Sequence, residues 1–356
     1  MRQQPPIRIQ RLINQRLLQP SFETPAEVVR WLGAVQAQDY LGALWAIGCR
    51  LPGATEESVE RAIGERTIVR TWPMRGTIHF VPGEDARWMV RLMGPRVATR
   101  IQSVYRKVGL DEKVFAHSQD VVARTLEGGE RRTRKDLYAQ LEAEGVYTGE
   151  GRGLQIIGHL ARQGLICFGP RQGRQPTFTL LDEWVPQARK LEGEEALAEI
   201  ALRYFRSHGP ATIRDFVWWT GLQVAEAQIG IEAVKPQLLE ETIDGITYWS
   251  AEKRFGEPVS SLDLFMLPSY DEYLVSYKDR SAALNPQYKW LMKSENHLRS
   301  TIILDGQVMG NWKRTFEKGA VKIEARFARD LSTNECQRYE NAVRCYAEFL
   351  EKPVNL

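Results

Sequence analysis

Four arginines stand where strand-like runs turn back on themselves. Arg70 precedes and Arg75 lies within the turn Pro73-Met74-Arg75-Gly76, while Arg171 and Arg174 lie within the loop Gly169–Pro176. Guanidinium groups on a turn suit contacts to phosphate oxygens, by charge-assisted hydrogen bonds that position a polyanion. For Arg70 and Arg75 a buried pairing with Asp or Glu is the other reading. Trp72, Trp218 and Trp219 either stack on bases or fill the core. His79 stands alone between Ile78 and Phe80, the setting of a structural histidine more than of a base. Asp271, Glu272, Asp279 and Arg280 form a charged cluster, expected to brace the C-terminal region as a salt-bridge network.

Other chemistries lack their patterns. There is no GxxxxGK[ST], no GxGxxG between a strand and a helix, and no GxSxG. The five histidines show no metal-ligand spacing, and the four cysteines (Cys49, Cys167, Cys336, Cys345) form no CxxC pair. Neither a metal nor a cofactor is therefore expected. No run approaches 18 consecutive apolar residues, and Met1–Pro6 begins no secretory signal. Dispersed cysteines fit a reducing compartment, so the expectation is a soluble cytoplasmic protein.

These residues need elements to hold them. A chain of 356 residues, 43% hydrophobic and 26% charged, has room for about two to three domains. Three stretches share one grammar, short helices followed by a hairpin. The first has helices over Arg11–Leu18, Ala26–Val35 (Thr24 as cap, Pro25 at the first helical position) and Glu56–Ile63, then strands Thr67–Trp72 and Thr77–Val81. The second has helices Arg134–Glu144 and Leu154–Gln163, then strands Leu165–Phe168 and Thr177–Leu181. The third has Glu194–Arg206, a short helix capped by Thr212, the turn at Gly221, Gln223–Val234, and a hairpin at Asp244-Gly245. Helices followed by a hairpin make a winged helix. After about residue 257, strands Thr301–Leu304, Gln307–Trp312 and Ala320–Phe327 and a helix Asn334–Leu350 form an α/β antiparallel-sheet unit. The reading is thus mainly α with β-hairpin wings (α+β). Its divisions are 1–110 (with a basic linker helix), 111–190, 191–256 and 257–356.

Net charge is only +3, but it is unevenly spread. Residues 87–135 hold 12 basic against five acidic side chains, and residues 192–250 hold four against ten. A basic first half fits a polyanion partner or, equally, solvated helix faces. Composition and spacing alone lead as far as a winged-helix DNA-binding protein.

Longer blocks carry a resemblance. Leu32-Gly33-Ala34-Val35-Gln36-Ala37-Gln38-Asp39-Tyr40 with Ala43-Leu44-Trp45, Arg70-Thr71-Trp72-Pro73-Met74-Arg75-Gly76-Thr77-Ile78-His79, and Gly209-Pro210-Ala211-Thr212 leading to Asp215–Trp219 are three of them. Leu267-Pro268 with Asp271-Glu272-Tyr273, and Tyr277-Lys278-Asp279-Arg280, complete the set. Together, from about residue 11 to 350, they resemble the winged-helix DNA glycosylases of the AlkZ/YcaQ type, which unhook interstrand crosslinks. The resemblance implies three tandem winged helix-turn-helix units in a C shape, plus the C-terminal unit, with duplex DNA held on a positive concave surface. It maps the family's catalytic Gln, apolar, Gln-or-Asp motif to Gln36-Ala37-Gln38, the two-glutamine variety; Asp39 lies one residue too late for the carboxylate role. The implied protein is a monomeric, metal-independent, monofunctional glycosylase acting on bulky or crosslinked cationic alkylpurines in duplex DNA. A non-catalytic winged-helix regulator, or a protein that captures a DNA-damaging compound without chemistry, are the rivals.

Neutral glutamines suit such a substrate. Ordinary glycosidic hydrolysis needs an acid for the leaving group and an activated water. A guanine alkylated at N7 is already cationic and leaves without an acid, so what remains is to hold water and stabilise an oxocarbenium-like sugar. A glutamine carbonyl accepts from water while its NH₂ donates to phosphate or sugar oxygens. Two residues apart, side chains diverge on a helix and share a face on an extended chain. If Gln36 and Gln38 act on one nucleotide, the helix expected through Val35 must end or distort before them.

Overall fold

Thr24 starts the second helix as its place before a proline predicts. Its hydroxyl accepts from the Glu27 N–H at 3.3 Å, and Pro25 opens the helix Pro25–Leu32. Gly33 ends it at φ 78°, where a Cβ would also lie 3.4 Å from Trp219 Cη2; both facts favour glycine. The chain straightens into strand β1 (Val35–Gln36) before Asp39 caps a helix Tyr40–Gly48. That helix was not foreseen, because seven of its nine residues are buried and no polar face marks a helical period. The helix expected through Val35 stops at Leu32, so Gln36 ends a short strand and Gln38 lies in the bend that follows.

The computed structural model describes residues 6–251, 263–292 and 298–355. The first two hairpins are β2 (Ile68–Met74) with β3 (Thr77–Pro82), and β5 (Ile166–Gln172) with β6 (Gln175–Leu180). They are not separate wings. With β4 (Arg132–Thr133) they build one six-stranded sheet in the order β1-β3-β2-β5-β6-β4, joined where Arg70 faces Phe168. Pairing edge to edge satisfies backbone groups that two isolated wings would leave open, and Trp72 stacks on Phe168 across the seam at 4.6 Å. The loop expected over Gly169–Pro176 is mostly strand. Only Gly173-Arg174 turn, and an irregular register between Gly169 and Gln172 absorbs the glycine and proline that suggested a loop.

The third hairpin, β7 (Leu239–Ile243) with β8 (Ile246–Ser250), stays a two-stranded sheet turning at Asp244-Gly245 as expected. It follows helices Gly193–His208, Ile213–Thr220 and Val224–Val234; Thr212 and Asp215 form a capping box on the middle one. The C-terminal sheet runs β13-β12-β11-β10-β9, from β9 (Leu264–Leu267), β10 (Ser300–Leu304), β11 (Gln307–Glu317), β12 (Ala320–Phe327) and β13 (Val354–Asn355). The helix Thr333–Leu350 packs beside it. Helices and sheets are mixed, as an α+β reading requires.

The cores cross the expected divisions. Val35, Leu44, Trp45 and Phe80 share one apolar cluster with Met266, Trp312, Tyr346 and Phe349. The helix Ile7–Asn14, four residues earlier than expected, packs Ile9 and Leu12 against Leu267, Ile303 and Val308. The boundary at residues 256–257 lies outside the described residues, and on either side of it the apolar packing is continuous. The N-terminal elements that carry the glutamines are therefore held by the C-terminal unit.

Candidate active site

Partners from other elements hold the Gln36–Gln38 segment in place. β1 pairs antiparallel to β3 with Gln36 opposite His79, and the Ala37 N–H continues the ladder to the Ile78 carbonyl at 2.7 Å. The Gln36 N–H donates to Glu272 Oε1 at 2.8 Å. On the other side, Arg70 Nη2 donates to the Ala37 carbonyl at 2.9 Å. Ile78 N–H, lacking a further strand residue, donates to the Gln38 side-chain carbonyl at 3.3 Å. Gln38 lies just past the end of β1, where the chain bends. Gln36 is 6% exposed and Gln38 is open to solvent.

The hairpin turn supplies the next layer. Arg75 and Gly76 both have positive φ, 55° and 75°, the geometry of a tight two-residue turn. From it Arg75 Nη2 reaches inward to Gln36 Oε1 at 3.0 Å and to His79 Nε2 at 3.2 Å. His79 lies 3.0 Å through Nδ1 from the Thr77 carbonyl. A carbonyl only accepts, so Nδ1 carries the proton and Nε2 offers a lone pair to the guanidinium. Burial, with the charge of Arg75 beside it, pushes the His79 pKa down to about 3. The imidazole is a neutral acceptor at working pH.

Glu272 is the buried anion behind this site. Its carboxylate accepts from Gln36 N–H, from Trp219 Nε1 at 2.9 Å and from the Ser276 hydroxyl; His208 Nε2 lies 3.7 Å away. Burial alone would raise its pKa, but the His208 imidazole and the Ser276 hydroxyl outweigh that and hold the carboxyl at about 2. His208 itself is pushed down by burial. Glu272 thus ties the glutamine strand, the helix Ile213–Thr220 and the C-terminal unit to one group.

The expected phosphate contacts separate. Arg70 is buried between Tyr40 and Phe168, its guanidinium spent on the Ala37 carbonyl, and burial lowers its pKa to about 10. It faces inward because its strand sits at the seam of the six-stranded sheet. Arg75 likewise turns in. Arg171 stacks on Tyr40 and pairs with Glu60, while Arg174 is exposed at the β5–β6 turn. Trp219 is core, and Trp72 lies against Phe168 in the sheet. Trp218 is 42% exposed, with its Nε1 held by the Val275 carbonyl at 3.0 Å.

The charged cluster does not form one network. Asp271 pairs with Arg50, Glu272 with the groups above, Asp279 Oδ1 with Ser281 N–H, and Arg280 Nε with the Leu274 carbonyl. Sequence reasoning missed Arg50 and left Glu272 as a brace, since Asp271 lies 221 residues from Arg50 and Gln36 lies 236 from Glu272. Among the described residues no group of three or more His, Cys, Asp or Glu could hold a metal ion, and no helix is long and apolar enough to cross a membrane.

Helices and β-hairpins enclose two carboxamides, Gln36 at the end of β1 and Gln38 just past it. The family model described as DNA glycosylase AlkZ-like matches residues 29–349, and the chain belongs to that family. It is 26% identical over 324 residues to the interstrand DNA cross-link repair glycosylase of Streptomyces sahachiroi, covering 86% of this chain and 85% of the relative. The solved structure of Streptomyces sahachiroi DNA glycosylase AlkZ superposes with a TM-score of 0.81 at 21% identity, over 98% of each chain. That likeness is one of fold.

Proposed function

We propose that the protein is a monofunctional, metal-independent DNA glycosylase. It removes bulky or crosslinked cationic alkylpurines, of the 7-alkylguanine type, from duplex DNA and leaves an abasic site. The observation that carries this reading is the pair Gln36, the last residue of β1, and Gln38, two residues on, both held against the β2–β3 hairpin, by Arg75 and by the Ile78 N–H. The relative in Streptomyces sahachiroi, an interstrand DNA cross-link repair glycosylase, supports the substrate class. Water's oxygen bonds to C1′, the C1′–N9 pair stays with the base, which leaves neutral, and water's second proton passes to solvent. Two amides can orient the water and the sugar, and the cationic base needs no proton from them to leave. No lysine lies between Leu32 and Tyr40, so no Schiff-base step is proposed.

DNA is taken to lie on a C-shaped surface of three winged-helix units, with Arg174, and more weakly the paired Arg171, on phosphates; the protein acts as a cytoplasmic monomer. Arg174→Ala is expected to weaken binding to all duplex sequences alike. The slope of log K against log salt flattens by about one unit. Anisotropy titrations at several salt concentrations check this, and a loss confined to one sequence would contradict a phosphate contact.

The function is tested on duplex carrying a 7-alkylguanine or an interstrand crosslink, followed by alkali. Strand scission is expected with the wild type and is lost in Gln36→Ala and Gln38→Ala, each by about 10²–10³-fold. Tight binding with no abasic product would instead make the protein a duplex-binding regulator.

A further inference from the structure

The two glutamines do not offer the same atoms to DNA. Arg75 and the Ile78 N–H are donors with no accepting capacity, so the atoms they face are carbonyl oxygens. Gln36 is buried and its Oε1 is held at 3.0 Å by a guanidinium nitrogen. Both hydrogens of that nitrogen are committed, one to Gln36 and one to the neutral His79 Nε2 at 3.2 Å. The Gln36 N–H is fixed in turn by Glu272 at 2.8 Å. The amide therefore cannot flip without leaving a buried cation facing NH₂. Its Nε2 has no hydrogen-bond partner among the described residues and is not sealed from solvent. Gln38 differs: it is exposed, and its single bond to Ile78 N–H is long at 3.3 Å. Its second lone pair is free.

We infer that Gln36 acts only as a hydrogen-bond donor, to a phosphate or sugar oxygen of the target nucleotide, and that Gln38 supplies the acceptor for the attacking water. Arg75 is the positioning residue that locks this division of labour, rather than a phosphate contact. The inference rests on the glycosylase reading above for its rate effects.

Gln36→Glu keeps an acceptor for Arg75 and exchanges the NH₂ donor for an anionic oxygen; Gln36→Leu removes both functions; Arg75→Lys keeps the charge and loses the fork. Single-turnover release of 7-methylguanine from duplex is measured for each, with thermal melts to show folding. Gln36→Glu is expected to be as slow as Gln36→Leu, about 100-fold or more below wild type. Arg75→Lys is expected about tenfold down with unchanged affinity for undamaged duplex and an unchanged salt slope. A Gln36→Glu rate well above that of Gln36→Leu overturns the donor role. So does Arg75→Lys at the wild-type rate, or an Arg75→Lys loss that is all in affinity and salt slope. If the wild type itself releases no base, the glycosylase reading fails. The donor role is then read from binding to duplex carrying a tetrahydrofuran abasic analogue, which Gln36→Glu and Gln36→Leu must both weaken; wild-type affinity in Gln36→Glu overturns it.

Discussion

Asp271→Ala is expected to lose about 3–5 kcal/mol of stability, the cost of leaving one charge of a buried pair uncompensated. Arg50 and Asp271 are both inaccessible and meet through two bonds, Nη1 to Oδ2 at 2.8 Å and Nη2 to Oδ1 at 2.9 Å. The remaining Arg50 donors are used on the Gln15 and Ala46 carbonyls and Gln15 Oε1. Removing the carboxylate strands the guanidinium among these, with no water to replace it. Asp271 Oδ1 also accepts from Tyr273 N–H at 2.9 Å, so the turn that aims Glu272 at Gln36 loosens as well. Urea unfolding checks the magnitude. Asp279→Ala, at an exposed neighbour of the same cluster, is expected within about 0.5 kcal/mol of wild type. Replacing both Arg50 and Asp271 with leucine is expected to recover part of the loss, because an apolar pair carries no stranded charge. A cost below about 1 kcal/mol for Asp271→Ala would show that the pair does not brace the fold.

Acid should weaken the protein well before its carboxylates as a class are protonated. His79, wholly buried, has a folded pKa of about 3 against an ordinary 6.5. Between those values the unfolded chain binds a proton that the folded chain refuses. Stability therefore falls as pH drops below 6.5, by about 1.4 kcal/mol per pH unit for this one group and about 5 kcal/mol by pH 3. His208 is shifted in the same direction by its burial, and His159, partly exposed, is lowered to about 4. Glu272, held at about 2 against 4.5, contributes stability that is present above 4.5 and lost as pH falls toward 2, so its sign agrees. Urea midpoints are expected to fall steadily from pH 7 to pH 5, and His79→Gln to reduce the slope by about one proton. Equal midpoints at pH 7 and pH 5 would contradict a buried neutral histidine. Because His79 stays neutral to about pH 3, its bond to Arg75 persists across this range.

What was legible in the sequence was local. Thr24 with Pro25, the cap at Thr212, and Asp244-Gly245 each act over three or four residues, and each does what its type predicts. The spacing of Gln36 and Gln38 required the helix before them to stop, and Gly33 provides the break. The tertiary structure alone decided which way side chains on those elements turn. Arg70 and Arg75 stand beside a hairpin, as read, but point inward, because β2 is covered by β5 and the turn is closed over Gln36. Gln36 meets Glu272 across 236 residues, and Arg50 meets Asp271 across 221. Backbone propensity and capping end within a turn of helix or strand, whereas the choice of a buried charge's partner is settled only when distant segments exclude water together.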